Sequence, residues 1–157
     1  MTPFDEMIAT IPLSEARSRF SALYDAAVDA GRPVRLHRRG DADAVLLARD
    51  QLRDLVGMYV SHVHIIPEEE TGGYTLWIDE LNIGEYGETL PMARDTLLAA
   101  VRGYVRDYLE RYTFYRHFRD KAAQYPYVLR LSLAQDDTDL KHLLFAPMMT
   151  PPHAEKA

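Results

Sequence analysis

The sequence predicts an α+β chain of two small units. A β-α-β-β-α unit spans residues 1–57, a β-β-β-α-β unit spans 58–146, and a disordered tail covers 147–157. Three observations carry this. Short β-branched runs flank a stripe of apolar residues at helical spacing in the first third of the chain. Gly57 then opens a stretch whose apolar residues alternate, as a half-buried strand requires. The charge balance also shifts at this point, from 8 basic and 9 acidic residues over 1–57 to 10 and 15 over 58–157.

Met7 to Ile11 reads as a strand ended by Pro12, which has no N–H to give a ladder. Ser14 is the expected N-cap of a helix with Glu15 in its first turn. Ala16, Phe20, Leu23, Ala27 and Ala30 recur at helical spacing along it, and Gly31 and Pro33 stop it. Val34 to His37 and Ala44 to Leu47 are strand-like, and the Arg38-Arg39-Gly40-Asp41 link suits a hairpin turn. Arg49 to Val56 closes the unit as a short helix. A unit of this size is marginal alone, burying about 60% of its unfolded surface, so a dimer through its strands is expected.

Tyr59 to Ile66 is the expected first strand of the second unit, ended by Pro67 and an acidic turn of Glu68, Glu69 and Glu70 with Gly72 and Gly73. Tyr74 to Glu80 alternates, with Tyr74, Leu76 and Ile78 on one face, and Gly84 to Glu88 is a third strand. Thr89 caps a helix from Leu90 in which Pro91 is tolerated. Its stripe runs through Ala93, Leu97, Val101, Tyr104, Tyr108 and Tyr112, and aromatic residues continue it to Phe118. Pro126 is expected to end it. Val128 to Leu133 reads as a fourth strand with Leu129, Leu131 and Leu133 inward, and Asp136, Asp137 and Thr138 cap a last helix carrying Leu140, Leu143 and Leu144.

Of 157 residues, 47% are apolar and 27% charged, which describes a globular chain. With no cysteine, disulfides, thiolate metal sites and cysteine nucleophiles are excluded. Asp5 and Glu6 at the N-terminus do not suit a secretion signal, and a purely apolar run such as Ala44 to Ala48 is far too short to cross a bilayer. A cytoplasmic protein is expected. The net charge of −6 argues against a nonspecific nucleic-acid coat, yet Arg32, Arg35, Arg38 and Arg39 fall within eight residues.

The first unit resembles the Phd/YefM family of antitoxins. The likeness rests on Ile11-Pro12-Leu13-Ser14-Glu15-Ala16-Arg17, Phe20, Leu23, Pro33-Val34, Arg38-Arg39-Gly40, Ala44-Val45-Leu46-Leu47 and the Leu52 helix. It implies a dimer that binds operator DNA through this module. Arg17 and Arg38 stand where that family contacts DNA, with Ser14, Arg35 and Arg39 beside them. Asp41-Ala42-Asp43 departs from the pattern, which often has a basic or neutral residue there.

The second unit is similar to HicB-type antitoxin domains, whose core of three strands, a helix and a fourth strand is partially RNase-H-like. The matching residues are Tyr59 to Ile66, Glu69 to Tyr74, Leu76 to Leu81 and Gly87-Glu88-Thr89-Leu90, while Asn82-Ile83-Gly84 replaces that family's usual Pro-Gly-Cys. Together the resemblances imply a type II antitoxin that neutralises a toxin by direct binding, with repression of its own operon and no covalent step. The alternative is a stand-alone transcriptional regulator whose second unit serves oligomerisation or another partner.

Guanidinium groups bind phosphate bidentately and read guanine in the major groove. Arg17 sits near a helix start, where the positive dipole end also favours phosphate. Arg32, Arg35, Arg38 and Arg39 also suit solvated hairpin charges paired with Asp41 and Asp43. The toxins of such systems are usually small basic ribonucleases, so Glu68, Glu69, Glu70, Asp79, Glu80 and Glu85 are the candidate toxin contacts. His62 and His64 share a strand face but lack an evident third ligand, so a polar face is the better reading than a metal site. Asp79, Glu80, Asp136, Asp137 and Asp139 could suggest carboxylate-bound magnesium, but helix capping and an exposed acidic edge account for them more simply. No catalytic residue, cofactor or metal is assigned. A homodimer, or a tetramer if both units self-associate, is the expected assembly.

Overall fold

The computed structural model describes residues 8–149. The chain divides into two compact units, 1–55 and 56–157.

The first unit contains β1 (Ala9–Pro12), α1 (Leu13–Ala16), a 3-10 turn (Arg17–Arg19), α2 (Phe20–Val28), β2 (Val34–His37), β3 (Ala44–Leu46) and α3 (Arg49–Leu55). Its sheet has the order β1-β2-β3. β1 runs parallel to β2, with Ala9 opposite Val34 and Pro12 opposite His37, and β2 pairs antiparallel with β3. The helical segment between β1 and β2 is the crossover that a parallel pair needs. Ala16, Leu23 and Val34 form the buried centre, with Ile11, Ala26, Leu36 and Leu46 packed on it. Gly31 takes a φ of +61° just past α2, a conformation costly for any residue with a β-carbon. Gln51 Nε2 donates to its carbonyl at 3.0 Å, tying α3 to that corner.

Two expectations for this unit need correction. Ser14 does not cap. The helix begins at Leu13, Pro12 holds the cap position with φ −58°, and no side chain caps it. Proline's fixed φ already turns the chain into the helix one residue early. Nor is the helix continuous, because Arg17–Arg19 tighten into a 3-10 turn and Arg19 leaves helical geometry at φ −122°. Ser18 Oγ donates to the Glu15 carbonyl at 2.9 Å, and such local bonding competes with the regular ladder.

The second unit opens with the antiparallel meander β4 (Val63–Pro67), β5 (Tyr74–Ile78) and β6 (Ile83–Gly87), in that spatial order. The helices α4 (Leu90–Glu110), α5 (Tyr112–Tyr115), α6 (Arg119–Ala123), α7 (Tyr125–Ser132) and α8 (Asp137–Phe145) follow, with a 3-10 turn at Ala146–Met149. Thr89 caps α4 as expected, accepting from the Met92 N–H at 3.3 Å. α4 covers one face of the sheet. Leu76, Ile78, Leu81, Ala93, Leu97 and Val101 are fully buried together with Tyr108, Val128 and Leu144.

Here too the structure differs from the sequence reading. The first strand starts at Val63, because Tyr59 and Val60 are held in turns to Val56 and Met58, and Tyr59 packs edge-on against Tyr127 at 5.5 Å. The expected fourth strand, Val128 to Leu133, is helix α7. Pro126 stands in the first turn of that helix and starts it rather than ending its predecessor. Val128 and Leu131, three apart, are the buried pair, whereas Leu129 and Leu133 are half-buried. The β-β-β-α-β order of the HicB-like reading therefore lacks its last strand. The tail expected to be disordered from 147 begins inside the ordered Ala146–Met149 turn, and its remainder lies outside the described residues.

Candidate functional site

In the first unit, β1 feeds directly into α1, and β2 feeds directly into the hairpin turn. Because Pro12 pairs with His37, the start of α1 and the start of the hairpin lie side by side. Between them is a groove of about 440 Å3 lined by Pro12, Leu13, Ser14, Arg17, His37, Arg38 and Arg39. Gly40, with a φ of +84°, and the Asp41 N–H to Arg38 carbonyl bond close the hairpin behind it.

Four of the five sequence candidates, Ser14, Arg17, Arg38 and Arg39, thus meet in one concave, exposed site. Among the described residues, neither Arg17 nor Arg39 has an acidic partner. Arg38 pairs with Asp41, Nε to Oδ2 at 3.1 Å, but both side chains are largely exposed. Such a pair is worth about 0–1 kcal/mol and opens readily. Arg35 is different: it does not line the groove, and its Nε donates to Thr10 Oγ1 at 2.9 Å and faces Asp43 at 3.6 Å. His37 Nδ1 lies 2.7 Å from the same Asp43 carboxylate. The helix dipole adds little at Arg17, since α1 is only four residues long.

In the second unit, the register separates the two faces of the sheet. Val63, Ile65, Leu76, Ile78 and Ile83 share the face toward α4; His64, Ile66, Thr75, Trp77 and Tyr86 share the opposite face. The acidic candidates divide between the two ends of β5. Glu68, Glu69 and Glu70 occupy the β4–β5 turn, where Glu68 Oε1 accepts from Thr75 Oγ1 at 2.5 Å. At the other end, Asp79 accepts from Trp77 Nε1 at 2.7 Å and pairs with His64 Nε2 at 3.0 Å. Glu80 is turned inward at 17% exposure, bound to the His62 ring at 2.6 Å and to its N–H at 3.1 Å. Glu85 stands apart, half-buried on the α4 side opposite Leu76.

His62 and His64 each have their own carboxylate, and among the described residues no group of three potential ligands could hold a metal ion. Asp136 caps α8 through the Asp139 N–H at 2.8 Å, and Asp137 receives both hydrogen bonds of Arg102 at 2.9 and 2.8 Å. These carboxylates serve the fold. The tyrosine stripe of α4 and α5 is core, with Tyr108 stacked on Tyr115 at 5.2 Å. No helix of the described residues is long and apolar enough to cross a membrane. The sequence reading missed Trp77, Ile66 and Tyr86, although the alternation that put Leu76 and Ile78 on one face already put Thr75 and Trp77 on the other.

Fold and site define an α+β protein with an arginine-lined groove in its first unit and an exposed sheet face in its second. The PHD-like family model, described as the antitoxin of a toxin–antitoxin RelE/RelB system, matches residues 7–146, and the chain belongs to that family. The match runs through both units, and the family is one of binding and regulatory proteins, not of enzymes. A crystal structure from Syntrophomonas wolfei subsp. wolfei, described as the antitoxin part of a proposed toxin/antitoxin system, shares the fold. Its TM-score is 0.74 at 22% identity, over 87% of this chain and 96% of that one. No curated protein matches the sequence.

Proposed function

We propose that this antitoxin neutralises its toxin by stoichiometric binding and represses its own operon. In this reading a cytoplasmic homodimer, or a tetramer if both units self-associate, binds operator DNA through the Phd/YefM-like first unit. The second unit covers the toxin, a small basic ribonuclease, with Glu68, Glu69, Glu70 and Asp79 as its acidic contacts, whereas Glu80, bound to His62, and Glu85, on the α4 side, contribute field at most. The observation that carries the DNA half is the groove in which Arg17 and Arg39, without acidic partners among the described residues, stand beside Arg38 and Ser14. Exposed guanidinium groups converging on one concavity suit phosphate and guanine, and a two-fold dimer would repeat them on a palindromic site. Arg35, held by Thr10 and Asp43, contributes field at most.

The test joins two measurements. Co-expression with the neighbouring short reading frame must restore growth that the neighbour alone arrests, with both proteins eluting together. A gel-shift titration on the promoter upstream must lose affinity in Arg17→Ala and Arg38→Ala, each lowering the salt slope by about 0.9 per phosphate contact removed. Unchanged affinity in both variants ends the DNA assignment, and a neighbour that is harmless ends the assignment of that partner.

A further inference from the structure

We propose that the toxin docks on the open face of the β4-β5-β6 sheet, laying arginine or lysine side chains over Trp77 and Tyr86 between the carboxylates of Glu68 and Asp79. The proposal deepens the reading of the second unit as the toxin-binding half and rests on it.

Three independent features of the molecule meet on this face. The first is charge. Between Met58 and Ala93 the sequence has seven carboxylates and not one Lys or Arg. That single segment carries more negative charge than the net −6 of the whole chain. A carboxylate stands at each end of the open face, Glu68 held by Thr75 and Asp79 held by Trp77 and His64. The side chains that hold them, Thr75 and Trp77, are two residues apart on that face, about 7 Å of strand, a span one partner surface can bridge.

The second is exposed apolar surface. Ile66 is 45% and Tyr86 42% exposed, on either side of Thr75 and diagonal to the half-buried Trp77, the only tryptophan in the chain. The opposite face of the same strands is sealed by α4, with Leu76 and Ile78 fully buried. Tryptophan and tyrosine ringed by carboxylates are the side chains that anchor arginine-rich partners, by cation–π contact and by charge together.

The third is preorganisation. A β-carbon at Gly84 would collide with the six-membered ring of Trp77, and one at Gly73 would collide with the ring of Tyr86. Both rings therefore lie against glycine backbone, and the Trp77 indole is further fixed by its bond to Asp79. A rigid ring loses little freedom on binding, so its contacts count almost in full. The occupant that fits is a basic protein surface; an RNA or DNA strand would meet only like charge here.

The test uses the full chain and the product of the neighbouring reading frame as the probe, with affinity measured by calorimetry. Tyr86→Ser and Ile66→Ser alter exposed side chains, and Trp77→Ala removes the anchor; urea midpoints establish that each is folded. The expected result is a loss of at least about 30-fold for Trp77→Ala and a clear loss for Tyr86→Ser, as for anchors at the centre of an interface. Glu69→Lys with Glu70→Lys should slow association and flatten its salt dependence. If the wild-type chain binds and the folded Tyr86, Ile66 and Trp77 variants bind equally well, the sheet face is not the docking surface, and the antitoxin reading stands without it. If those variants instead lose self-association while toxin binding persists, a second copy occupies the face and the proposal is overturned. A neighbour that does not bind the wild-type chain removes both the proposal and the reading beneath it.

Discussion

Gly87, the last residue of β6, lies against the backbone of Ala93 in the first turn of α4, so closely that a β-carbon on the glycine would run into the Ala93 main-chain nitrogen. Both residues are buried, and this approach lets the helix settle on the sheet. Gly87→Ala should lower the unfolding free energy by about 1–3 kcal/mol, the usual cost of overpacking. Gly103, inside α4 with nothing near its would-be β-carbon, should behave oppositely. Gly103→Ala is expected to stabilise by roughly 0.5–1 kcal/mol through helix propensity alone. Urea melts of the pair decide it, and a Gly87→Ala protein with an unshifted midpoint would contradict the packing.

The helix caps should rank in a definite order. Asp136 accepts from the Asp139 N–H at 2.8 Å with a charged oxygen, and Thr89 accepts from Met92 at 3.3 Å with a neutral one. Asp136→Ala should cost about 1 kcal/mol or more, and Thr89→Ala somewhat less. Ser14 caps nothing, so Ser14→Ala should stay within about 0.5 kcal/mol of wild type. Equal losses at all three positions would be the contrary result.

Two of the ten tyrosines should ionise late. Burial pushes the Tyr108 phenol up, with Tyr104, Tyr112 and Tyr125 adding to it. Tyr115 is raised by its hydrogen bond to Asp107. In the unfolded chain Tyr108 loses its proton near pH 10, whereas the native protein keeps it to higher pH. The stability it contributes is therefore complete below pH 10 and falls as pH rises from there through the native value. Ultraviolet titration of phenolate should show the late fraction shrink in Tyr108→Phe. That variant also loses the hydroxyl's 2.5 Å bond to the Lys121 carbonyl, so its melting point should drop at neutral pH as well.

Asp41 is expected to restrain the arginine groove. Its carboxylate occupies Arg38 in the free protein. Asp41→Asn should tighten promoter binding several-fold, equivalent to about 0.5–1 kcal/mol, by freeing the guanidinium and removing a like charge beside phosphate. The gain should fade as salt rises. Weaker binding by Asp41→Asn in a low-salt gel shift would be the opposite of what this geometry requires.

Much of the fold is legible in the sequence, where the pattern and the local chemistry agree. The Thr89 cap, the positive-φ stop at Gly31 and the alternating strand through Leu76 and Ile78 each follow from a few neighbouring residues. Failure came where two periods fitted the same residues. Leu129, Leu131 and Leu133 satisfy a strand, yet Val128 and Leu131 satisfy a helix equally well, and Pro126 opens a helix as readily as it ends one. Only packing against α4 decides. The arginine groove was legible in composition but not in membership. Nothing local to Arg35 says that Thr10, 25 residues away, will hold it outside the groove.

The 3-10 turn at Arg17–Arg19 has a further consequence, which concerns angular phase. Three residues wound at 120° instead of 100° advance the chain roughly 60° beyond an unbroken α-helix. Leu23 and Ala27 keep their seats in the core while Arg17, the first residue of the turn, lines the groove with Arg38 and Arg39. The turn acts as a rotational coupling between a fixed core stripe and an adjustable cationic one. Inserting or deleting a single residue there would turn Leu23 by about 100° relative to Ala16 and Arg17, so the buried stripe and the groove would no longer hold their seats together.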